Sequence, residues 1–261
     1  MTNKTTIDKS VLLAAMQKNV QQTNVTLSDG RKIKVRAFLM KEMKLLMLAN
    51  EANTGIDDAI IQIVKNCILT DNVDVDLLPV FDLEAVYLAL YKLSKASPTV
   101  PVMFTCANEI LDEDGNVQYD QYGEIVRCGS DIKVNVNLNN AKLSDAPDNK
   151  IVLNENMTVY MRYPNISEVE YFNVEVESDL FNLINRCIDE VHMGDQVVKV
   201  GVDIPYEDIS EIMEYADSVA LTKMGKFVTS LPQHTLNIPV KCKKCGHQEI
   251  VTLKGVESFF A

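Results

Sequence analysis

Two cysteines near the end of the sequence have the spacing of a metal-binding loop. The run Cys242-Lys-Lys-Cys245-Gly-His247 places two thiols on one side of a tight turn, and the glycine lets the backbone fold close to a bound ion. A tetrahedral zinc site needs four ligands, so this loop supplies half of one. Structural metal binding is therefore the first chemistry that the sequence indicates.

A second pair of cysteines can complete that site. Cys106 and Cys128 flank the segment 107–127, whose Asp114-Gly115 dipeptide is typical of a hairpin turn. If the arms of this segment pair, Cys128 returns to Cys106, and Cys128-Gly129 repeats the Cys245-Gly246 step. The sequence thus predicts one structural zinc ion held in the manner of a zinc ribbon, with no open position for catalysis; its ligands are Cys106, Cys128, Cys242 and Cys245.

Other interpretations of this loop stay open. The cysteines could be a metal-free remnant, and His247 could replace one of them as a ligand. Cys242 and Cys245 could instead be a redox pair, but such a pair normally opens a helix, whereas the alternation in 248–253 predicts a strand. The remaining cysteines, Cys67 and Cys187, lie in apolar helical segments and are expected to be buried hydrophobic residues.

Nothing else in the sequence indicates an active site. The three histidines, His192, His234 and His247, belong to no recognised catalytic motif, and no glycine-rich phosphate loop is present. The acidic run 112–115 resembles a calcium loop only weakly, because Gly123 stands where a bidentate glutamate is required. We therefore predict a protein that is not an enzyme and has no catalytic residues.

The composition argues against nucleic acid and membrane as partners. The net charge of −12 repels phosphate, and we expect the basic patch of Lys241, Lys243 and Lys244 to solvate the cysteine loop. No apolar run is long enough to cross a membrane, and residues 1–10 do not form a secretory signal. These features predict a cytoplasmic location, where cysteines stay reduced.

Several short blocks recur in the same order in the two halves of the sequence. Segments 34–43, 63–68, 75–86 and 100–106 are similar to segments 160–169, 184–188, 202–212 and 238–242. The cysteines follow the same register, which pairs Cys67 with Cys187, Cys106 with Cys242, and Cys128 with Cys245. We therefore predict an α+β fold of two related halves, joined by the zinc-ribbon-like clamp.

Each half is predicted to contain a strand hairpin, helices and a cysteine-bearing β-hairpin. The predicted helices are 40–53, 57–69, 81–94 with Asp82 as N-cap, 178–191 and 205–220, and the first hairpin spans 25–38. The domain boundaries follow: an N-terminal arm 1–23, a first repeat 24–140, a linker 141–156 and a second repeat 157–261.

Both ends of the chain carry apolar residues that could contact partners. In the arm, Ile7, Val11, Leu12, Ala15 and Met16 recur at helical spacing. At the other end, Phe259 and Phe260 could anchor an interface or fold back onto the core of the protein.

Three blocks together resemble baseplate hub proteins of T-even-like contractile-tail phages. In residues 27–49, a strand ends in Arg36-Ala-Phe-Leu and leads into the helical run Lys41-Glu-Met-Lys-Leu-Leu. Segment 73–84 is similar to the middle block of that family, and 238–260 to its C-terminal block. The insertion between Cys106 and Cys128 and the linker after it depart from the family pattern.

The resemblance implies a role at the baseplate hub, as a virion part or as an assembly factor, and no chemical reaction. We therefore expect a non-enzymatic protein that binds other baseplate and tail proteins, in the host cytoplasm during assembly or in the virion tail baseplate. The alternative is a zinc-ribbon regulator that binds nucleic acid through Lys241, Lys243 and Lys244.

Overall fold

Helices and antiparallel sheets alternate along the chain, which confirms the predicted α+β class. The computed structural model describes residues 8–52, 56–95, 97–255 and 257–260. The elements of the first part are α1 (Lys9–Lys18), β1 (Gln22–Thr26), β2 (Lys32–Arg36), α2 (Met40–Ala52), α3 (Ile56–Cys67), α4 (Val80–Ser94), β3 (Thr99–Thr105), β4 (Asp131–Asn137) and β5 (Lys142–Leu143). Short 3-10 turns lie at Val75–Leu77 and Leu138–Asn140.

The second part of the described chain adds a larger sheet, five helices and the C-terminal hairpin. Its elements are β6 (Lys150–Asn154), β7 (Met157–Met161), α5 (Ile166–Tyr171), α6 (Glu177–Arg186), β8 (Ile188–Met193), β9 (Gln196–Lys199), α7 (Tyr206–Met213), α8 (Ser218–Thr229), β10 (His234–Lys241), β11 (Gln248–Lys254) and α9 (Glu257–Phe260). The sheets have the strand orders β1-β2, β3-β4, β11-β10-β5 and β6-β7-β8-β9.

Two hydrophobic cores hold these elements together. The first joins the β1-β2 hairpin, α3, α4 and the β3-β4 hairpin to the C-terminal residues Leu236, Ile238, Val240 and Phe259. The second contains residues between Ile151 and Val228 and packs the four-stranded sheet against α6, α7 and α8. The chain therefore starts in one core, builds the other, and returns to the first.

This return changes the predicted domain boundaries. The segment 141–156, expected to be a linker, contains β5 and β6, because β5 pairs with β10 and β6 pairs with β7. The C-terminal hairpin, placed by the sequence in the second repeat, packs in the first core. Phe259 is also buried there, with 1% of its surface exposed, so this aromatic residue folds back onto the protein.

Two predicted helices are interrupted by other structure. The helix expected over 178–191 ends at Arg186, since the residues from Ile188 onward pair with both β7 and β9 as strand β8. The helix expected over 205–220 is divided into α7 and α8. The side chain of Asp217 accepts a hydrogen bond from Ala220 N at 2.7 Å and starts the second of them.

Asp82 has a different role from the predicted N-cap. Pro79 occupies the N-cap position of α4, while the Asp82 carboxylate accepts hydrogen bonds from Ser28 N at 2.9 Å and Ser28 Oγ at 2.8 Å. Burial raises the pKa of Asp82 above its ordinary value. This contact fastens the turn of the β1-β2 hairpin to the first turn of α4.

A buried arginine-glutamate pair ties β2 to α2 and α3. Arg36 Nη2 lies 2.9 Å from Glu42 Oε1 and donates to the carbonyl oxygen of Asn66 at 2.7 Å. Glu42 Oε2 also accepts a hydrogen bond from Leu39 N at 2.8 Å. The residue after Asn66 is Cys67, which has no exposed surface.

The same contacts recur at the corresponding place in the second half. Arg162 Nη2 lies 2.7 Å from Glu168 Oε1 and donates to the carbonyl oxygen of Arg186 at 2.7 Å. Glu168 Oε2 accepts from Asn165 N at 3.0 Å, and Cys187 follows Arg186 as a fully buried thiol. Each half therefore joins a strand end, a helix start and a buried cysteine through one ion pair.

Candidate metal centre

The four cysteines singled out by the sequence meet at one point. Their Sγ atoms all lie within 4.8 Å of one another, although they come from two hairpins far apart in the chain. The Sγ atoms of Cys106 and Cys245 are 3.7 Å apart, as are those of Cys128 and Cys242. Sulfurs at about 2.3 Å from a central zinc are about 3.8 Å apart in a regular tetrahedron. The spacing therefore fits four-coordinate zinc and is far longer than the roughly 2.0 Å of a disulfide.

The C-terminal hairpin shapes one half of this centre. Cys242 N donates to the carbonyl oxygen of His247 at 2.8 Å, and Gly246 N donates to the carbonyl oxygen of Cys242 at 3.0 Å. Gly246 has a φ of 77°, a left-handed conformation that glycine adopts without steric cost. This loop therefore directs the thiols of Cys242 and Cys245 toward the same point.

The β3-β4 hairpin repeats this arrangement despite its longer connection. Cys106 N donates to the carbonyl oxygen of Ser130 at 2.9 Å, and Gly129 N donates to that of Cys106 at 3.0 Å. Gly129 has a φ of 62°. Residues 107–127 therefore leave the hairpin at the position that Lys243 and Lys244 occupy in the short loop, without breaking the turn.

The inserted segment closes on itself through two turns instead of the single predicted hairpin. Asp112 N donates to the carbonyl oxygen of Asn116 at 2.8 Å, and Asp120 N to that of Glu124 at 2.9 Å. The predicted turn at Asp114-Gly115 is present, and Gly115 has a φ of 84° there. Cys128 N then donates to the carbonyl oxygen of Asn108 at 2.8 Å, so the ends of the segment return together.

Burial differs among the four thiols. Cys106, Cys128 and Cys242 are buried, while Cys245 is exposed. The backbone N–H groups of Cys245 and Lys244 lower the pKa of Cys242 to about 6, against the effect of burial. Burial raises the pKa of Cys128, and the neighbouring sulfurs of Cys245 and Cys242 act in the same direction. Four thiolates at this spacing repel one another, so a cation is needed to hold all of them in the charged form.

The other polar residues of the loop lie outside the sulfur cluster. In the part of the chain that the structure describes, the group of close metal-ligating side chains consists of the four cysteines. His247 Nε2 lies 4.0 Å from Glu249 Oε2. Lys244 Nζ donates to the carbonyl oxygen of Cys128 at 3.1 Å, so this lysine of the basic patch joins the two hairpins.

A second contact between distant segments had no signal in the sequence. His234 Nδ1, at the start of β10, lies 2.9 Å from Glu84 Oε2 in α4, and His234 N donates to the same oxygen at 3.1 Å. Nothing local to either residue predicts this pair. It fixes the C-terminal hairpin against α4 and so supports the approach of its cysteines to Cys106 and Cys128.

Comparison with known proteins assigns the chain to a class. A family model described as "T4 bacteriophage base plate protein" matches residues 20–261, so the chain belongs to that family of phage baseplate proteins. This confirms the resemblance that the sequence blocks carry.

One relative gives a more particular likeness. The chain is similar to the "Baseplate hub assembly protein gp26" of Enterobacteria phage T4, with 26% identity over 141 residues. The alignment covers 51% of this chain and 59% of that protein, which is less than two thirds of its length. No solved structure matches the chain. Across the described residues, none of the helices combines the length and apolar character needed to cross a membrane.

Proposed function

We propose that this protein is a non-enzymatic structural or assembly component of the baseplate hub in a contractile phage tail, and that it acts by binding other baseplate proteins. The family match over residues 20–261 carries this proposal. The likeness to a hub assembly protein of phage T4 supports the hub as the part of the baseplate concerned. During assembly such a protein works in the host cytoplasm, and a structural part ends in the virion tail baseplate.

We further propose that Cys106, Cys128, Cys242 and Cys245 hold one structural zinc ion. Four sulfur donors in tetrahedral spacing suit zinc, and they leave no position free for a substrate or a water. The ion would supply cohesion between the β3-β4 and β10-β11 hairpins. This closed site supports a binding protein with a stapled fold and gives no support to an enzyme.

The hub role is tested by a phage in which the gene is silenced by a nonsense codon. We expect tails to stop before a complete baseplate forms, and expression of the wild-type chain in the host should restore them. Mass spectrometry of purified tails and of baseplate intermediates then separates the two roles, because a structural part persists in the tail and an assembly factor is found in intermediates only. Normal tails from the silenced phage would overturn the proposal.

The zinc-ribbon regulator is tested separately by DNA binding at low salt. Lys244 is held by the carbonyl oxygen of Cys128, and the net charge is −12, so we expect no binding. Binding that weakens steeply with salt would favour the regulator instead.

A further inference from the structure

We propose that helix α1 of one copy of this protein docks into a carboxylate-rimmed apolar groove between the two halves of a second copy. The groove lies where α5 of the second half meets α3 and α4 of the first. Its floor and walls include Ile61, Leu83, Ile166 and Val169, and its rim includes Asp57 and Glu170.

The groove is built by contacts between the two halves. Ile166 N donates to the carbonyl oxygen of Leu78 at 3.0 Å, and Ser167 Oγ donates to that of Asp76 at 3.1 Å. These bonds hold α5 across the end of α4 and leave a cavity of about 240 Å³. A cavity of roughly 150 Å³ accommodates benzene, so this one has room for aliphatic side chains of a helix.

The charges around the groove all have one sign. Its charged lining residues are Asp57, Glu84 and Glu170. Glu84 is buried and bonded to His234, but Asp57 and Glu170 are exposed on opposite walls. An apolar slot with carboxylates on both sides favours an apolar helix that carries basic residues.

Helix α1 carries both apolar and basic residues, and its apolar side chains are exposed in the monomer. Val11, Leu12, Leu13 and Met16 are each more than half exposed. The first 22 residues carry three lysines and one aspartate, in a chain whose net charge is −12. A lone helix of 10 residues is marginal in water, so it gains most of its stability by burying its apolar face. The family match begins at residue 20, after α1.

The position of α1 in the monomer favours a groove on another copy. Ala37 N donates to the carbonyl oxygen of Gln21, and Phe38 N to Ser94 Oγ, so the root of α1 lies at the C-terminal end of α4. The groove lies at the N-terminal end of that helix, about 20 Å away at 1.5 Å per residue. In the monomer α1 is exposed and contributes no residue to the lining of this groove. Reciprocal exchange of α1 between two copies would close a symmetric dimer with two equal contacts.

Sedimentation velocity of the full chain over a range of concentrations tests this directly. We expect a monomer–dimer equilibrium in which Leu12→Asp on the arm weakens association at least tenfold. The double change Asp57→Lys with Glu170→Lys in the groove should do the same. An equimolar mixture of the two variants should associate, because one intact arm then meets one intact groove.

Matched controls separate this contact from general effects. Met40→Asp replaces another exposed apolar residue, at the start of α2, and Glu211→Lys with Glu214→Lys reverses the same amount of charge at the C-terminal end of α7. Both should dimerise as the wild type does, and thermal melting should show that every variant is folded. A wild type that stays monomeric, a dimer that tolerates Leu12→Asp or the groove reversal, or folded variants that fail to associate on mixing would each overturn the proposal.

Discussion

Glu42 shows how one ion pair can make the stability of this fold depend on pH. Its side chain has no exposed surface and faces Arg36. Burial alone would raise the pKa of Glu42, but hydrogen bonds from Arg36 and from Leu39 N outweigh it, and the pKa lies below the ordinary value of 4.5. The folded state therefore binds the Glu42 proton less tightly than the unfolded state does.

The sign of the resulting pH dependence follows from linkage. A carboxyl group whose pKa is lowered by folding stabilises the protein above its unfolded pKa, and this contribution is lost as the pH falls through the folded pKa. We expect Glu42→Gln to lower the free energy of unfolding by roughly 3 kcal/mol at pH 7, because it leaves Arg36 without its charge partner. Between about pH 4.5 and 3, the difference from wild type should shrink.

Urea unfolding of both proteins across this pH range provides the measurement. Glu168→Gln is the matched variant in the second half, since Glu168 makes the same contacts with Arg162 and its pKa is also lowered. A difference between wild type and Glu42→Gln that stays constant down to pH 3 would contradict this account.

Cys245 offers the most direct test of the metal at the level of one residue. Its thiol is exposed, so replacing it with serine removes little packing, and any large effect must come from a lost ligand. We expect Cys245→Ser to lose the zinc found by elemental analysis of the wild type, and to lower Tm by roughly 6–12 °C, equivalent to about 3 kcal/mol.

Cys67→Ala is the control for this prediction. Cys67 is completely buried in the first core, so this change should destabilise the fold by packing while one zinc per chain is retained. Wild-type protein without zinc, when purified in the absence of chelators, would refute the site.

Residue spacing in the sequence predicts some side-chain positions and misses others for a physical reason. The four cysteines could be grouped because zinc demands four soft ligands and the loops around them are similar. The pairing of Glu84 with His234 could not be predicted, since the two residues are 150 positions apart and neither lies in a motif. Asp82 was predicted to be the N-cap of its helix because capping rules consider only residues close in sequence. Such rules cannot identify a hydrogen bond from the distant Ser28.

The inserted segment 107–127 is an element whose contribution to the metal centre can be isolated. Its two turns are bonded internally, and the β3-β4 ladder from Thr99–Asn137 to Thr105–Asp131 does not include it. Replacing residues 107–127 by Lys-Lys would copy the short loop of the C-terminal hairpin. We expect the shortened protein to keep one zinc per chain and a similar Tm.

The alternative outcome is informative as well. If the shortened chain lost its zinc, the segment would be needed to bring Cys106 and Cys128 together. As a control, the same two lysines can be inserted between Tyr122 and Gly123 at the second turn, which lengthens the segment and leaves both cysteines in place.

At the level of elements, the duplication remains a prediction. The repeated arginine-glutamate pairs and the repeated cysteine turns are what such an origin would leave. The duplication requires that superposing α3 on α6 brings α4 onto α7 and the two cysteine hairpins into register. Strand β8 was missed because its sequence continues the apolar spacing of α6, and its pairing with β7 and β9 decides the conformation.

The path of the whole chain was the least predictable feature. Sequence repeats placed the C-terminal hairpin with the second half, while the folded protein packs Leu236, Ile238 and Phe259 in the first core. Similarity between segments reports ancestry or local structure and carries no information on which core a hairpin joins. That choice depends on contacts such as His234 with Glu84 and on the four sulfurs.

Removal of the metal should therefore affect the two cores unequally. The second core is formed by residues between Ile151 and Val228 and includes no cysteine of the cluster. The first core includes Cys106, Cys128 and Cys242, and needs the C-terminal hairpin to be complete. Structural zinc contributes directly to folding free energy, so its loss should weaken the first core and spare the second.

Hydrogen–deuterium exchange with mass spectrometry can resolve this difference. After treatment with chelator and reductant, we expect faster exchange in β3, β4, β10 and β11, while β7 and β8 stay protected. Cys245→Ser without chelator should give the same pattern, which separates loss of the ion from side effects of the chelator. Equal loss of protection in both cores would mean that the clamp stabilises the molecule as one cooperative unit, and unchanged exchange in the two hairpins would mean that the sulfurs do not hold a structural ion.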